Sequence, residues 1–253
     1  MELSGLFRPR TGAMTFSPRP FSAAADPCPP LRSFPGVIVG TSRVWEEISD
    51  LARVVEVPRG EIIYPPPRGI PPFLYIKSGK FCLNVINEDG DEQVLHYILA
   101  GGTVWDGYYS VNGQISSMPL RTQEKCVLYA FDSQLTFDNL LEINPLLVRN
   151  LLYSQAIKNL VYSKLALINN YRTSLTKVAL FLHEMYLTRK SPTFPGLITQ
   201  TEMGGLLQLH KVTVSTALTR LKDEGILNHF SKGEVSLNAP ERLREIALSS
   251  LRK

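Results

Sequence analysis

Residues 199–225 read TQTEMGGLLQLHKVTVSTALTRLKDEG, and this stretch decides the fold of the C-terminal part of the chain. Thr199 and Glu202 have the spacing of a capping box, in which each side chain accepts a hydrogen bond from the other residue's backbone at a helix start. A second helix is predicted from Lys211 to Lys222, with its end at Gly225. Two short helices joined by a tight turn are typical of a helix-turn-helix.

The second predicted helix has two different faces. Val214, Leu218 and Leu221 recur at helical spacing and form the face that packs inward. In a helix-turn-helix the N-terminal residues of the second helix enter the major groove, so the other face predicts double-stranded DNA as a partner. The residues predicted to contact DNA are Thr199, Gln200, His210, Lys211, Val212, Thr213, Ser215, Thr216 and Arg220. Residues 226–228 and 235–237 read as two strands of a wing, whose residues typically touch phosphates.

Composition and charge limit the classes of protein that remain. The chain has 253 residues, of which 44% are hydrophobic and 20% charged, as in ordinary globular proteins. Residues 172–253 carry 12 basic and 7 acidic residues, whereas residues 41–171 carry 11 and 14. A basic C-terminal third favours a polyanionic partner, although a solvated basic face gives the same count. Without a long apolar run or a secretory signal, we expect no membrane span.

The cysteines and histidines are dispersed. Cys28, Cys82 and Cys126 lack the local spacing of zinc or iron–sulfur sites, and three cysteines do not make a disulfide framework. We therefore expect a cytoplasmic protein without a metal or other cofactor. Residues 1–40 hold 7 of the 18 prolines and show no periodicity, which predicts a disordered or loosely attached arm, or a mis-assigned translation start.

Residues 41–142 are predicted to form an antiparallel β-barrel or roll after a short helix at 45–51. Within residues 80–86, Phe81, Leu83 and Val85 alternate with less apolar neighbours, which is typical of a half-buried strand. Asp89-Gly90 provides the positive φ angles of a hairpin turn. Further strands are predicted at 60–64, 73–77, 93–99 and 127–131, and this spacing of short strands favours a barrel.

One long helix is predicted within the segment 143–171, and it begins at Pro145. At this length the helix spans roughly 40 Å, more than one small barrel covers. A first apolar stripe is interrupted by Ser154 and Lys158 and consists of Leu147, Leu151, Val161, Leu165 and Ile168. A second stripe consists of Leu146, Tyr153, Ile157, Leu160 and Leu167. Two stripes favour a homodimer with Leu151 and Val161 in the helix–helix interface; a single long core helix is the alternative.

The order of barrel, long helix and winged helix-turn-helix resembles the Crp/Fnr transcription regulators over residues 42–245. The motifs that carry the resemblance are Leu74-Tyr75-Ile76-Lys77-Ser78-Gly79-Lys80, Glu88-Asp89-Gly90 and the Thr213-Val214-Ser215 run. Residues 92–102 and 210–215 are most similar to the halorespiration regulators, which sense chlorinated phenols. The resemblance implies an α+β fold with a jelly-roll (double-stranded β-helix) effector domain of the cyclic-nucleotide-binding type, a dimerisation helix at 143–171 and a winged helix-turn-helix at 172–253. It also implies a homodimer that is not an enzyme, binds a small-molecule effector and works with RNA polymerase.

The sequence differs from that of the cyclic-AMP-binding Crp/Fnr members at the positions where those members bind the nucleotide. Those members carry a Gly-Glu turn and, about ten residues on, an Arg-Ser pair, where this chain has Trp105-Asp106 and Ser116-Ser117. A buried phosphate without an arginine is costly, so we expect a small organic acid or phenol-like anion instead of cyclic AMP. The residues predicted to contact this effector are Trp105, Tyr108, Tyr109, Tyr162 and Lys164, with core packing or helix surface as the alternative.

The predicted DNA-reading helix departs as well. Most members carry an acidic residue at the position of Val212 and a guanine-reading arginine at the position of Thr216. Valine suits a thymine methyl group, and threonine contacts either a base or a phosphate, so an A·T-rich palindromic operator is expected. Gln208 stands where a turn glycine is usual.

Two other functions remain open. Cys82 and Cys126 would serve a redox-responsive regulator, or they are simply small hydrophobic residues. A ligand-binding barrel protein or enzyme that does not bind DNA is the second alternative. However, His96-Tyr97-Ile98 lacks the paired histidines of a cupin metalloenzyme, and the glycines at 101–107 lack the Lys-Ser/Thr of a phosphate loop.

Overall fold

The computed structural model describes residues 15–22, 26, 33–40, 42–64, 73–86, 92–106, 119–132 and 134–249. The chain divides into two compact units. The first contains the described residues up to 26 and residues 37–159, and the second contains residues 33–36 and 160–249. The boundary at 159/160 falls inside the long helix, whereas the sequence predicted a separate helical segment at 143–171. No helix among the described residues is long and apolar enough to cross a membrane.

The first unit is built from two β-sheets, as the predicted α+β fold with a jelly-roll domain requires. One sheet contains, in spatial order, β2 (Val37–Ile38), β7 (Glu92–Leu99), β6 (Lys80–Ile86), β9 (Leu120–Thr122) and β4 (Ile62–Ile63). The other contains β3 (Ala52–Val57), β10 (Cys126–Phe131), β5 (Phe73–Ser78) and β8 (Thr103–Val104). β6 and β7 pair antiparallel, as predicted, and the predicted turn at 87–90 lies outside the described residues.

An aromatic core anchors the long helix to the second of these sheets. Residues 45–51, predicted as a helix, form part of a 3₁₀ helix, Val44–Leu51. Its Trp45 packs on Phe73 and Phe131, with ring centroids 4.3 and 5.8 Å away. The Trp45 indole N–H donates to Asn150 Oδ1 at 2.7 Å, so the one polar atom of the ring is satisfied inside the core.

The predicted long helix is confirmed as α2 (Pro145–Asn169), which follows α1 (Phe137–Ile143). The prediction for its first stripe is wrong. Leu151 and Val161 are buried within the chain itself, and Leu151 packs in the core cluster that contains Trp45. They are therefore unavailable for an interface with a second copy. The face of α2 that remains exposed instead carries Leu152, Ala156, Asn159, Ser163 and Leu167.

Several described residues of the segment 1–40 make specific contacts with the rest of the chain. The Arg19 N–H donates to the Ile143 carbonyl at 2.8 Å, and Asn144 Nδ2 donates to the Arg19 carbonyl at 2.9 Å. Phe34, in β1 (Ser33–Phe34), is fully buried within the second unit. The amino-acid composition did not predict these contacts, because the free energy gained by burying an aromatic side chain can order a segment locally despite its high proline content.

The second unit is the predicted winged helix-turn-helix. Its helices are the end of α2, α3 (Ser174–Arg189), α4 (Gln200–Leu207), α5 (Lys211–Asp223) and α6 (Pro240–Ser249). Its sheet has the order β11 (Thr193–Phe194), β13 (Val235–Leu237) and β12 (Leu227–Phe230). The two wing strands were predicted, but β11 was not, since two residues carry no readable periodicity.

Candidate nucleic-acid interface

The helix-turn-helix begins with the predicted capping box. The Thr199 hydroxyl accepts from the Glu202 N–H at 3.2 Å, and the Glu202 carboxylate accepts from the Thr199 N–H at 2.7 Å. Both bonds satisfy backbone donors that the first turn of α4 would otherwise leave free. The capping box therefore determines where α4 begins.

The turn between α4 and α5 is tight. A Cβ added at Gly204 would lie 2.6 Å from the Leu209 carbonyl oxygen, so only glycine allows the chain to return so closely. Gln208 ends α4 with φ +56° and ψ +44°, in the left-handed region that favours glycine. Gln208 therefore adopts the backbone conformation that glycine usually provides in this turn, at the cost of backbone strain.

His210 caps the start of α5. Its Nδ1 accepts a hydrogen bond from the Val212 N–H at 3.4 Å. Val214, Ala217, Leu218 and Leu221 are buried, which fixes the orientation of α5 about its own axis. The remaining residues of the helix consequently face solvent.

The solvent face of α5 forms a shallow groove lined by Lys211, Val212, Ser215, Thr216, Thr219, Arg220 and Asp223. Val212 is 64% exposed although it is apolar. The Thr216 hydroxyl donates to the Val212 carbonyl at 3.0 Å, and Arg220 Nε donates to Glu224 Oε1 at 2.8 Å. This surface therefore combines an exposed aliphatic side chain, Val212, with a cation, Lys211, near the helix start.

The predicted DNA-contacting residues are placed on the two helices of this motif. Gln200 lies in the first turn of α4 next to the capping residue Thr199, and Thr213 and Ser215 are half-buried on α5. The tip of the wing at Lys232 and Gly233 is exposed and held by the Ser231 N–H, which donates to the Glu234 carbonyl at 2.7 Å. Contact of these residues with DNA stays a prediction.

A buried charged cluster in the first unit was not predicted. Lys158, on α2, forms an ion pair with Asp106, and their side chains are 10% and 3% exposed. The hydroxyls of Thr103 and Ser154 also donate to Asp106, at 2.8 and 3.0 Å. Burial would raise the pKa of Asp106, but the Lys158 ammonium and the two hydroxyls outweigh burial and lower that pKa below its usual value.

His96 belongs to the same interior. It is fully buried, and burial together with the Lys158 charge lowers its pKa to about 3, against a smaller opposing effect of Asp106. Its imidazole is therefore neutral at physiological pH. The sequence held one signal for this cluster, since Ser154 and Lys158 interrupt the apolar stripe of the long helix at a spacing of four residues.

The predicted effector residues are divided between the two units and the part of the chain outside the described residues. Trp105 is buried in the first unit with φ +60°, an uncommon conformation for a bulky residue. Tyr108 and Tyr109 lie outside the described residues. Tyr162 and Lys164 belong to the second unit, where Lys164 Nζ pairs with Glu184 Oε2 at 3.0 Å. The charge of Lys164 is consequently already compensated.

Neither described cysteine has the environment of a reactive thiol. Cys82 and Cys126 are both buried and reduced, and they lie in different sheets, on β6 and β10. Burial raises the pKa of Cys126 to about 11, which disfavours the nucleophilic thiolate. Among the described residues, no group of three or more His, Cys, Asp or Glu side chains could hold a metal ion.

Comparison with known proteins identifies the second unit. Residues 176–246 match the model of the Crp-like helix-turn-helix domain. No curated protein sequence matches the chain significantly.

Solved structures show the same fold over most of the chain. CprK complexed with OCPA has a TM-score of 0.65 at 17% identity, covering 81% of this chain and 97% of that one. A CooA mutant from Carboxydothermus hydrogenoformans has a TM-score of 0.66 at 17% identity, covering 79% and 89%. The c-di-GMP responsive global regulator CLP of Xanthomonas campestris has a TM-score of 0.59 at 18% identity, covering 76% and 97%.

These similarities establish the fold of the Crp/Fnr regulators and a Crp-like helix-turn-helix domain. DNA binding is the class of function that the matched helix-turn-helix domain supports.

Proposed function

We propose that this chain is a homodimeric Crp/Fnr-type transcription regulator that binds an A·T-rich palindromic operator and responds to a small anionic effector. The observation that carries the proposal is the solvent face of α5, whose orientation is fixed by four buried residues within a Crp-like helix-turn-helix domain. In this motif such a face is the one that enters the major groove.

The exposed face of α2 supports the homodimer. Its residues Leu152, Ala156, Asn159, Ser163 and Leu167 follow one another at spacings of three or four, which keeps them on one side of the helix. Leu152 and Leu167 are 65% and 59% exposed, and the small side chains between them permit close approach of a second helix. A second copy of α2 is the occupant that a two-fold regulator would supply.

The buried pair of Asp106 and Lys158 supports an anionic effector. Lys158 is a buried cation whose present partner is a carboxylate, so an acid of the same charge could replace that carboxylate. Because Lys158 lies on α2, such an exchange would act on the helix that we assign to the dimer. Phenol-like and other aromatic acids are therefore the effectors to test first, with cyclic AMP as the control.

Selection of binding sites from random DNA by the full chain, followed by gel shift, tests the proposed operator. Each half-site should be A·T-rich, and the half-site centres should lie about one helical turn apart. The double variant Val212→Glu/Thr216→Arg should shift the selected half-site towards guanine. Arg220→Ala should weaken all sequences alike and reduce the salt dependence by about one unit of slope. Failure to select any sequence would contradict the proposal and favour a barrel protein that does not bind DNA.

A further inference from the structure

The middle of the solvent face of α5 lacks the side chains that read guanine or adenine by paired hydrogen bonds. Between Val212 and Thr219 the sequence contains no Arg, Lys, Asn or Gln, the residues that make bidentate contacts to these bases, and Lys211 precedes this stretch at the start of the helix. Arg220 follows, and its Nε donates to Glu224 Oε1 one turn further along the helix. Base recognition between Val212 and Thr219 therefore uses other chemistry.

Two side chains on this face can present methyl groups to DNA. Val212 is 64% exposed and carries only aliphatic carbon. Thr216 lies four residues later, on the same side of the helix, and is exposed as well. Its hydroxyl donates to the Val212 carbonyl at 3.0 Å, so the proton of that hydroxyl is already used within the helix. Thr216 can then offer a base only its methyl group and a hydroxyl oxygen that accepts.

The C5 methyl group of thymine is the feature of the major groove that aliphatic carbon recognises. Uracil pairs with adenine as thymine does and lacks only this methyl group. A surface that reads methyl groups therefore distinguishes thymine from uracil, whereas a surface that reads hydrogen-bonding groups does not.

We infer that Val212 and Thr216 together select the operator through thymine methyl groups, and that Thr216 acts through its methyl group and not its hydroxyl. This inference rests on the proposed function, because it specifies how the same surface recognises DNA. It predicts that two thymines in each half-site are recognised by their methyl groups.

The first experiment replaces each thymine of the selected operator by deoxyuridine, one at a time, and measures the affinity of the wild-type chain. At the two contacted positions we expect a loss of about fourfold, because burial of one methyl-sized group contributes roughly this factor. Substituting one contacted position in both half-sites should multiply the two losses to about 16-fold. Restoring the methyl group, by 5-methylcytosine in place of cytosine where a C·G pair has replaced the contacted T·A pair, should recover part of the affinity.

The second experiment compares two variants that separate the methyl group from the hydroxyl. Thr216→Val retains a methyl group at this position and loses the hydroxyl, whereas Thr216→Ser retains the hydroxyl and loses the methyl group. Thr216→Val should bind with unchanged affinity and keep the loss on deoxyuridine substitution. Thr216→Ser should bind about fourfold more weakly and no longer distinguish thymine from uracil at that position. Circular dichroism checks that α5 persists, since the three residues have similar helix propensities.

The outcomes distinguish failure of this inference from failure of the proposed function. The inference is supported if the loss on deoxyuridine substitution follows the methyl group of residue 216. It is overturned, with the proposed function intact, if the operator binds equally well with uracil at every position, or if Thr216→Ser retains the affinity that Thr216→Val loses. Absence of any sequence-specific DNA binding overturns the proposed function and this inference with it.

Discussion

Replacing Lys158 by methionine should reverse the pH dependence of the stability of the first unit. In the wild type the pKa of Asp106 is lowered, since the effects of Lys158 and two hydroxyls exceed that of burial. A carboxyl with a lowered pKa contributes stability above its unfolded pKa of about 4, and this stability is lost as the pH falls through its folded pKa. In Lys158→Met the cation is gone, and burial, the largest single effect, exceeds that of the two remaining hydroxyls, so the pKa of Asp106 should rise above its unfolded value.

The expected size follows from the burial of both side chains. Removing one partner of a buried ion pair costs about 3–5 kcal/mol at neutral pH, because the other charge is left uncompensated. Between the unfolded and the raised folded pKa, the native state then binds one more proton than the unfolded state. The free energy of unfolding should therefore increase as the pH is lowered from 7 towards 5, by up to about 1.4 kcal/mol per pH unit.

Urea unfolding monitored by tryptophan fluorescence measures this effect selectively, because both tryptophans, Trp45 and Trp105, lie in the first unit. Lys125→Met is the matched control. Lys125 pairs with Glu56 at 2.6 Å, but both side chains are more than 60% exposed, so its loss should cost at most about 1 kcal/mol and leave the pH profile unchanged. The double variant Asp106→Asn/Lys158→Met should recover most of the lost stability. A Lys158→Met profile parallel to that of the wild type would refute the reasoning.

Three further changes test individual features of the structure. Gln208→Gly should raise the free energy of unfolding by about 1 kcal/mol in thermal unfolding, because glycine adopts the left-handed conformation without strain. Gly36→Ala should lower it by about 1–2 kcal/mol, because φ is +66° there and a Cβ would lie 2.5 Å from a δ carbon of buried Leu206; an unchanged melting temperature would contradict this. Leu152→Asp/Leu167→Asp should give folded monomers in sedimentation equilibrium with weaker operator binding, and intact dimers would exclude this face of α2 as the interface.

The helix-turn-helix was predictable from sequence because its signals are local. The capping box of Thr199 and Glu202 and the apolar period of α5 act within a few residues, and the structure has both. The strand at 80–86 was predictable for the same reason. The pair of Asp106 and Lys158 was not, since its members lie 52 positions apart and only the closed fold brings them together. The burial of Phe34 likewise depends on a tertiary contact that no local pattern encodes.

The wrong assignment of the first α2 stripe to a partner helix shows what apolar periodicity cannot establish. A helical period of apolar residues shows which side of the helix is buried, but it does not show whether that side packs against the same chain or against a partner. The stripe nevertheless contains one residue, Lys158, that distinguishes between these two possibilities. In a two-fold helical interface each residue near the axis faces its own copy, so Lys158 would meet a second buried ammonium and repel it. Within its own protomer Lys158 instead meets the carboxylate of Asp106, which compensates the charge. A stripe that contains a lone lysine is therefore better assigned to the chain's own interior, and the uncharged stripe from Leu152 to Leu167 is the one that we propose for a partner helix.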